Sequence, residues 1–262
     1  MQTIHVFSKL IDAIKVHTPN AGRFAIADSK MAAMPPNQET LFGLNSVNSY
    51  DSLSSRKYQE LIGHWSAAGA RTYGRHFQFL DSERTLADPA FALSNVEVVL
   101  SSRPLATNRL NLVAEVNEIK LYEPMLAPVG LLQTPRFQLS NREAAVDPSV
   151  RDPNLQPRCI ETLNDFQRIA VTAAPQETLL FLSQQYHRAW RAKAHQRALR
   201  TVIVNRFYQG VLLPPNTSEV ELSFRPFVLW SWLPQLFFTA SGVLLLLRVA
   251  LHIRRDQTAS AA

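Results

Sequence analysis

Apolar positions recur with two different periods along this chain, and the change from one to the other predicts an α+β protein. Ile4, Val6, Phe7, Leu10, Ile11 and Ile14 fall at helical spacing among Lys9, Asp12 and Lys15, so residues 2–16 read as an amphipathic helix. A turn at Pro19-Asn20-Ala21-Gly22 leads into a short strand over 23–27. Residues 28–52, rich in Ser, Asn, Pro and Met, read as a surface loop, and a second helix over 53–65 takes Asp51 or Ser52 as its cap. A third, short helix over 89–93 runs into an apolar strand at 96–100. The segments 110–114 and 118–122 alternate as a hairpin does, with a further strand at 136–139.

The segment from 140 to 160 holds Pro148, Pro153 and Pro157 among many charges, which predicts an exposed linker or long loop. Beyond it short apolar runs at 167–173, 178–184, 190–194, 200–205, 209–213 and 219–224 are separated by turn signals such as Pro214-Pro215-Asn216. The predicted organisation is a mixed α/β region over 1–140, a linker over 141–160 and a β-sandwich-like module over 161–225. A transmembrane helix over 226–251 and a short basic tail over 252–262 complete it.

The membrane reading rests on the run PFVLWSWLPQLFFTASGVLLLL, which lies between Arg225 and Arg248 and carries no charge. A helix needs about 20 such residues to cross the hydrocarbon core. Trp230 and Trp232 stand at one boundary and Arg248, His252, Arg254 and Arg255 at the other, as interfacial aromatics and cations do. Pro234 predicts either a kink or the point where regular helix begins. The alternative is a buried core helix, disfavoured because soluble helices of this length keep a polar face. The Arg254-Arg255 side reads as cytoplasmic, which puts the large N-terminal region outside. Residues 1–25 contain no signal peptide, so export of that region would call for upstream transmembrane helices.

Among the 262 residues, 46% are hydrophobic and 18% charged, an ordinary globular balance. The formal charge is +6, with its one basic cluster at Arg188, Arg191, Lys193, Arg197, Arg200 and Arg206. No nucleic-acid-binding motif accompanies it, so it reads as a solvated face near anionic lipid and no nucleic-acid partner is expected. The single cysteine, Cys159, reads as a plain thiol. Neither a zinc-like spacing among the seven histidines, nor a phosphate loop, nor a serine elbow is present, so no metal or cofactor is expected.

Ordered motifs add a resemblance. An apolar strand, an aromatic turn before a Trp, a strand of small residues, an Asn, an aromatic, Gly-Val, Pro and a closing strand ending in Arg-Pro fall here on Tyr186, Trp190, Ala192, Asn205, Phe207, Gly210, Val211, Pro214, Val220, Phe224, Arg225 and Pro226. This order resembles the final extracytoplasmic module of the YfhO-type bacterial membrane proteins, which belong with the GT-C-like polytopic glycosyltransferases. Asn45 to Leu61, with Tyr50-Asp51 before a helix, Leu93 to Ser101, and Leu121-Tyr122-Glu123 with Pro135-Arg136 continue the match. The family's Gly before the Trp is Ala189 here, and its Asp-Gly turn is His195-Gln196, which predicts a longer or looser hairpin.

The resemblance implies sugar transfer from a lipid-phosphate carrier, with the acidic catalytic residue in an early loop between membrane helices. No such region occurs in these residues. The chain is therefore expected to be the non-catalytic C-terminal portion of such a protein in the bacterial cytoplasmic membrane, its globular region extracytoplasmic. Expected partners are the lipid bilayer, a polytopic half carrying the catalytic loop, and a glycan or lipid-linked sugar. The alternative is a single-span binding or structural protein with no transferase link.

Tyr50, Asp51, Tyr186 and Trp190 stand out for binding. Asp51, beside Tyr50, could hold a sugar hydroxyl, although capping the second helix is the preferred reading. Trp190 with Tyr186 and Tyr208 could form a platform for a sugar ring, although core packing is preferred. Asn205 and Gly210 read as serving backbone geometry, Gly210 where the chain must bend, and Arg225-Pro226 as the motif's end. Asn216-Thr217-Ser218 reads as a turn.

Overall fold

A computed structural model describes the backbone of residues 2–19, 22–27, 39–48, 56–66, 80–226 and 233–259. The architecture is α+β, with three sheets and few helices. The predicted site residues Tyr50 and Asp51, the cap Ser52, and the boundary residues Trp230 and Trp232 lie outside the described residues.

The N-terminal unit is a five-stranded sheet of order β2-β1-β3-β5-β4. Its strands are β1 (Arg23–Ile26), β2 (Asn45–Ser46), β3 (Val96–Ser101), β4 (Leu110–Val116) and β5 (Ile119–Pro124). β1 runs parallel to β2 and β3, and the rest are antiparallel. Strand alternation sends Phe24 and Ile26 to one face, where Leu10, Ile11 and Ile14 of α1 (Gln2–His17) pack on them. Ala25 and Ala27 face Ile62 and Trp65 of α2 (Arg56–Trp65) on the other. Asn48 stands in for a strand neighbour, accepting from the Ile26 amide at 2.6 Å and donating to its carbonyl at 3.1 Å.

The C-terminal strands form two sheets. β6 (Leu131–Thr134), β7 (Gln138–Ser140), β8 (Glu143–Ala145), β11 (Thr178–Gln185), β14 (Thr201–Val204) and β15 (Tyr208–Leu213) make one, in the order β6-β11-β15-β14-β8-β7. β9 (Arg158–Leu163), β10 (Phe166–Ala170), β12 (Trp190–Ala194), β13 (Arg197–Leu199) and β16 (Glu219–Phe224) make the other, ordered β13-β12-β16-β10-β9. Leu180, Leu182, Val211 and Leu213 of the first share a core with Ile169, Ala192, Val220 and Leu222 of the second. The outer face of the five-stranded sheet carries Arg168 within 3.8 Å of Glu161 and Glu221 and 3.7 Å of Glu219, with Lys193 at 2.9 Å from Glu221.

The six-stranded sheet is buried on its far side too, because Leu179, Phe181, Val202, Val204 and Tyr208 pack with Leu93 and Val129. Leu93 belongs to a 3-10 helix, Pro89–Ser94, whose Phe91 enters the N-terminal core while Leu93 enters the C-terminal one. Asp88 starts this helix by accepting from the Ala90 amide, Pro89 follows, and Asn95 ends it with φ 57°. Hydrogen bonds reinforce the join. The Ser183 hydroxyl donates to the Leu93 carbonyl at 2.6 Å, and that of Tyr208 to the Ala90 carbonyl at 3.1 Å.

Several expectations are corrected. The predicted linker 141–160 is taken up at one end by the β7–β8 hairpin and at the other by β9, leaving a shorter connection without strands. Since β6, β7 and β8 come from before it, the boundary at 160 does not separate two packed bodies. α3 (Ser82–Ala87), β6, β9 and β13 were not legible: they are short, and β9 is exposed at all six positions, so no alternation marks it. The final helix, α4, is described over Leu233–Ala259 and takes in most of the predicted basic tail. Pro234 sits in its first turn, where a missing N–H has no intrahelical partner to lose. Its described side chains end at Arg248, and among the described residues no helix is long and apolar enough to cross a membrane.

Candidate binding cleft

Separate stretches converge on a cleft of about 610 Å3: the end of α3 with the start of the 3-10 helix, Val96 at the head of β3, the open end of the β4–β5 hairpin, and residues 147–149. Phe91 and Val96 line its apolar part, Arg109 adds a cation, and Met125 and Leu126, respectively 62% and 49% exposed, stand in contact with water. Such large apolar side chains left open on a concave surface favour binding of a partly apolar ligand.

Its two carboxylates are already engaged. Asp88 accepts from the Ala90 amide at 2.9 Å and from Trp65 Nε1 at 2.8 Å. Asp147 accepts from the Ser149 hydroxyl at 2.7 Å and its amide at 2.8 Å, which hold this exposed carboxyl below its ordinary pKa. Arg109 donates to the Leu86 carbonyl at 2.5 Å. Both acids are thus held by hydrogen bonds from neighbouring groups. The arrangement can hold a ligand. Among the described residues no three of His, Cys, Asp and Glu gather as a metal site would require.

The structure disperses the residues chosen from sequence. Trp190 packs its ring on Phe224 at 5.2 Å between centroids, and His187 takes the other contact to Phe224, also at 5.2 Å. Tyr208 is 2% exposed and lies with Phe181 and Phe207 against the N-terminal unit, so Trp190, Tyr186 and Tyr208 build no common platform. Tyr186 is half-buried and its amide donates to the Phe207 carbonyl. Arg225 and Pro226 are exposed, with the Arg225 amide bonded to the Ala189 carbonyl at 3.0 Å.

Asn205 lies in the turn between β14 and β15 with φ 45°, followed by Arg206 at φ 69°. Its side chain reaches across to Val146, accepting from the amide and donating to the carbonyl at 2.9 Å each, rather than to its own strand end. Gly210 stands mid-strand and marks no bend; a Cβ there would lie 2.5 Å from Val204 Cγ2 and 3.0 Å from Val202 Cγ2, so the missing side chain is space filled by neighbours. His195-Gln196 form a tight two-residue turn, both with positive φ, where a looser hairpin was expected. Asn216 also has positive φ, and Thr217 donates to the Pro214 carbonyl, as a turn requires.

Sequence reading missed the cleft because its walls lie far apart along the chain. The neighbouring apolar pair Met125-Leu126, beyond a strand and before Pro128, was the only local signal. Compared with known proteins, the chain matches no family model, no curated protein and no solved structure.

Proposed function

We propose that this chain is a membrane-anchored, non-catalytic β-rich region, held by α4 together with the uncharged residues that precede it. The observation that carries this reading is the exposure of apolar side chains all round the described part of α4. Phe237 and Phe238 are 71% and 74% exposed, and five consecutive residues, Val243 to Leu247, are each more than half exposed. Successive helical residues point about 100° apart, so five in a row leave no polar face for water. Thr239 returns its hydroxyl to the Gln235 carbonyl at 2.7 Å, which satisfies it without water.

Within that reading, the motif order from Tyr186 to Pro226 supports a YfhO-like origin, with the globular region outside the bacterial cytoplasmic membrane beside a polytopic half that carries out lipid-carrier-dependent glycosyl transfer. A second reading, a single-span binding protein with no transferase link, is favoured by the cleft, to which none of the motif residues from Tyr186 to Pro226 contributes. Coding sequence for hydrophobic segments of about 20 residues immediately upstream supports the first; its absence supports the second.

Alkaline carbonate extraction tests the anchor common to both. The full chain is expected to stay with the membrane fraction and to need detergent for release, while a chain ending at Pro226 is expected in the aqueous fraction. Full-length protein that is extracted by carbonate and remains monodisperse without detergent overturns the anchor.

A further inference from the structure

A second cavity, about 180 Å3, lies where the two units meet, lined by Arg23, Tyr58, Leu61, Trp65, Phe207 and Tyr208 among others. At roughly 30 Å3 per water this is about six waters' worth of space, room for one small group and little more.

Arg23 is its unusual member. It follows directly on the predicted turn, opens β1, and crosses to the other unit. Nη1 donates to the Ser94 carbonyl at 2.7 Å and the Ser183 hydroxyl at 2.8 Å, and Nη2 to the Ser183 carbonyl at 2.6 Å. All three acceptors are neutral, and among the described residues no carboxylate pairs with the guanidinium. A guanidinium has five N–H donors, so two remain without an acceptor among the described residues. Unpaired cations are costly to bury and rarely are.

The neighbouring hydroxyls do not supply the missing charge. Tyr58 donates to the Val47 carbonyl and Tyr208 to that of Ala90. Burial pushes the Tyr208 pKa far above its ordinary value, so it remains a neutral phenol. Burial also lowers the Arg23 pKa, against a smaller opposing effect of Tyr208 and Tyr58. The cation thus stands half-buried among aromatic walls, with no partner of opposite sign among the described residues.

We propose that this cavity is a binding site for a small oxyanion, a phosphoryl or carboxylate group, which pairs with Arg23 through its two remaining donors. Guanidinium matches the two oxygens of either group in a fork, and the interaction is strongest where water is excluded. The site joins the two units, so its ligand would hold β1 and β11 together. The inference is independent of the membrane reading and of the larger cleft.

The test is thermal unfolding of the full chain in detergent micelles, titrated separately with inorganic phosphate and with acetate, ionic strength being held constant with chloride. A saturable rise in Tm with phosphate alone assigns a phosphoryl ligand; a rise with acetate assigns a carboxylate. Arg23→Gln is expected to weaken that binding by about tenfold or more, and Arg23→Lys, which keeps the charge but not the fork, by less. Because Arg23 also ties the units together, Leu61→Trp serves as a second variant, filling the cavity while leaving Arg23 in place; it is expected to fold and to lose the response. A response no larger than that to chloride, or a Leu61→Trp protein that responds like the unaltered chain, overturns the proposal.

Discussion

Asn205 has two separate tasks in the turn between β14 and β15, and they can be taken apart by substitution. Its backbone is left-handed, which costs an ordinary L-residue about 1 kcal/mol. Its amide meanwhile pairs with both backbone groups of Val146, just past β8. Asn205→Ala removes both benefits and leaves the Val146 amide without its partner, for an expected loss of about 2 kcal/mol. Asn205→Gly restores the left-handed backbone but not the bonds, and is expected to recover about half of that loss. Urea denaturation of the two variants side by side checks this; equal destabilisation would mean that the Val146 bonds alone matter. Gly210 shows the opposite case, a position governed by the neighbours Val204, Val202 and Leu179 rather than by its own torsions.

Hairpins and edges are where this fold departs from its simplest solution. The β12–β13 turn holds His195 at φ 45° and Gln196 at φ 66°, and glutamine has no particular preference for that region. Replacing the pair by Asn-Gly, which suits a two-residue turn, is expected to stabilise the protein by about 1 kcal/mol, read as a raised urea midpoint with an unchanged slope. At the edge of the same sheet, β9 is open to water and carries Ile160 and Leu163 half-exposed. Arg158 and Glu161 stand among them, charges that oppose unwanted pairing with another strand. The connection before it is tied down locally, Arg151 reaching back to the Pro128 carbonyl at 3.3 Å.

Taken as a whole, the molecule is held by cores that cross its apparent boundaries. The six-stranded sheet directs Leu179, Phe181, Val202, Val204, Tyr208 and Leu212 toward Leu93 and Val129. Side chains of this kind contribute about 2 kcal/mol each on burial, so together they stand for on the order of 10 kcal/mol, comparable to the entire stability of an ordinary domain. A fragment of residues 158–226, the β-rich part by composition, also lacks β6, β7 and β8. It is expected to show neither a cooperative thermal transition nor good amide dispersion in NMR spectra, whereas the full chain is expected to show both. A cooperative transition in that fragment would show that the five-stranded sheet and the remaining strands suffice as a core.

Local pattern was enough to read α1, β1, β3, the β4–β5 hairpin and most strands beyond residue 165, because burial on one or both faces imposes a period that survives in the sequence itself. Phe24 and Ile26, or Leu180 and Leu182, advertise their faces without reference to any partner. Asn205 and Gly210 were recognisable as structural, but not for the right reason, since the groups that explain them, Val146 and Val202, belong to other strands. The dispersal of Trp190, Tyr186 and Tyr208 to different surroundings, the engagement of Asp88 by Trp65, the cleft and the pairing of Arg23 with Ser94 and Ser183 depend on contacts between residues tens to more than a hundred positions apart. Those contacts were decided only when the sheets packed on the 3-10 helix, because sequence periodicity records which face of an element is buried and not what it is buried against.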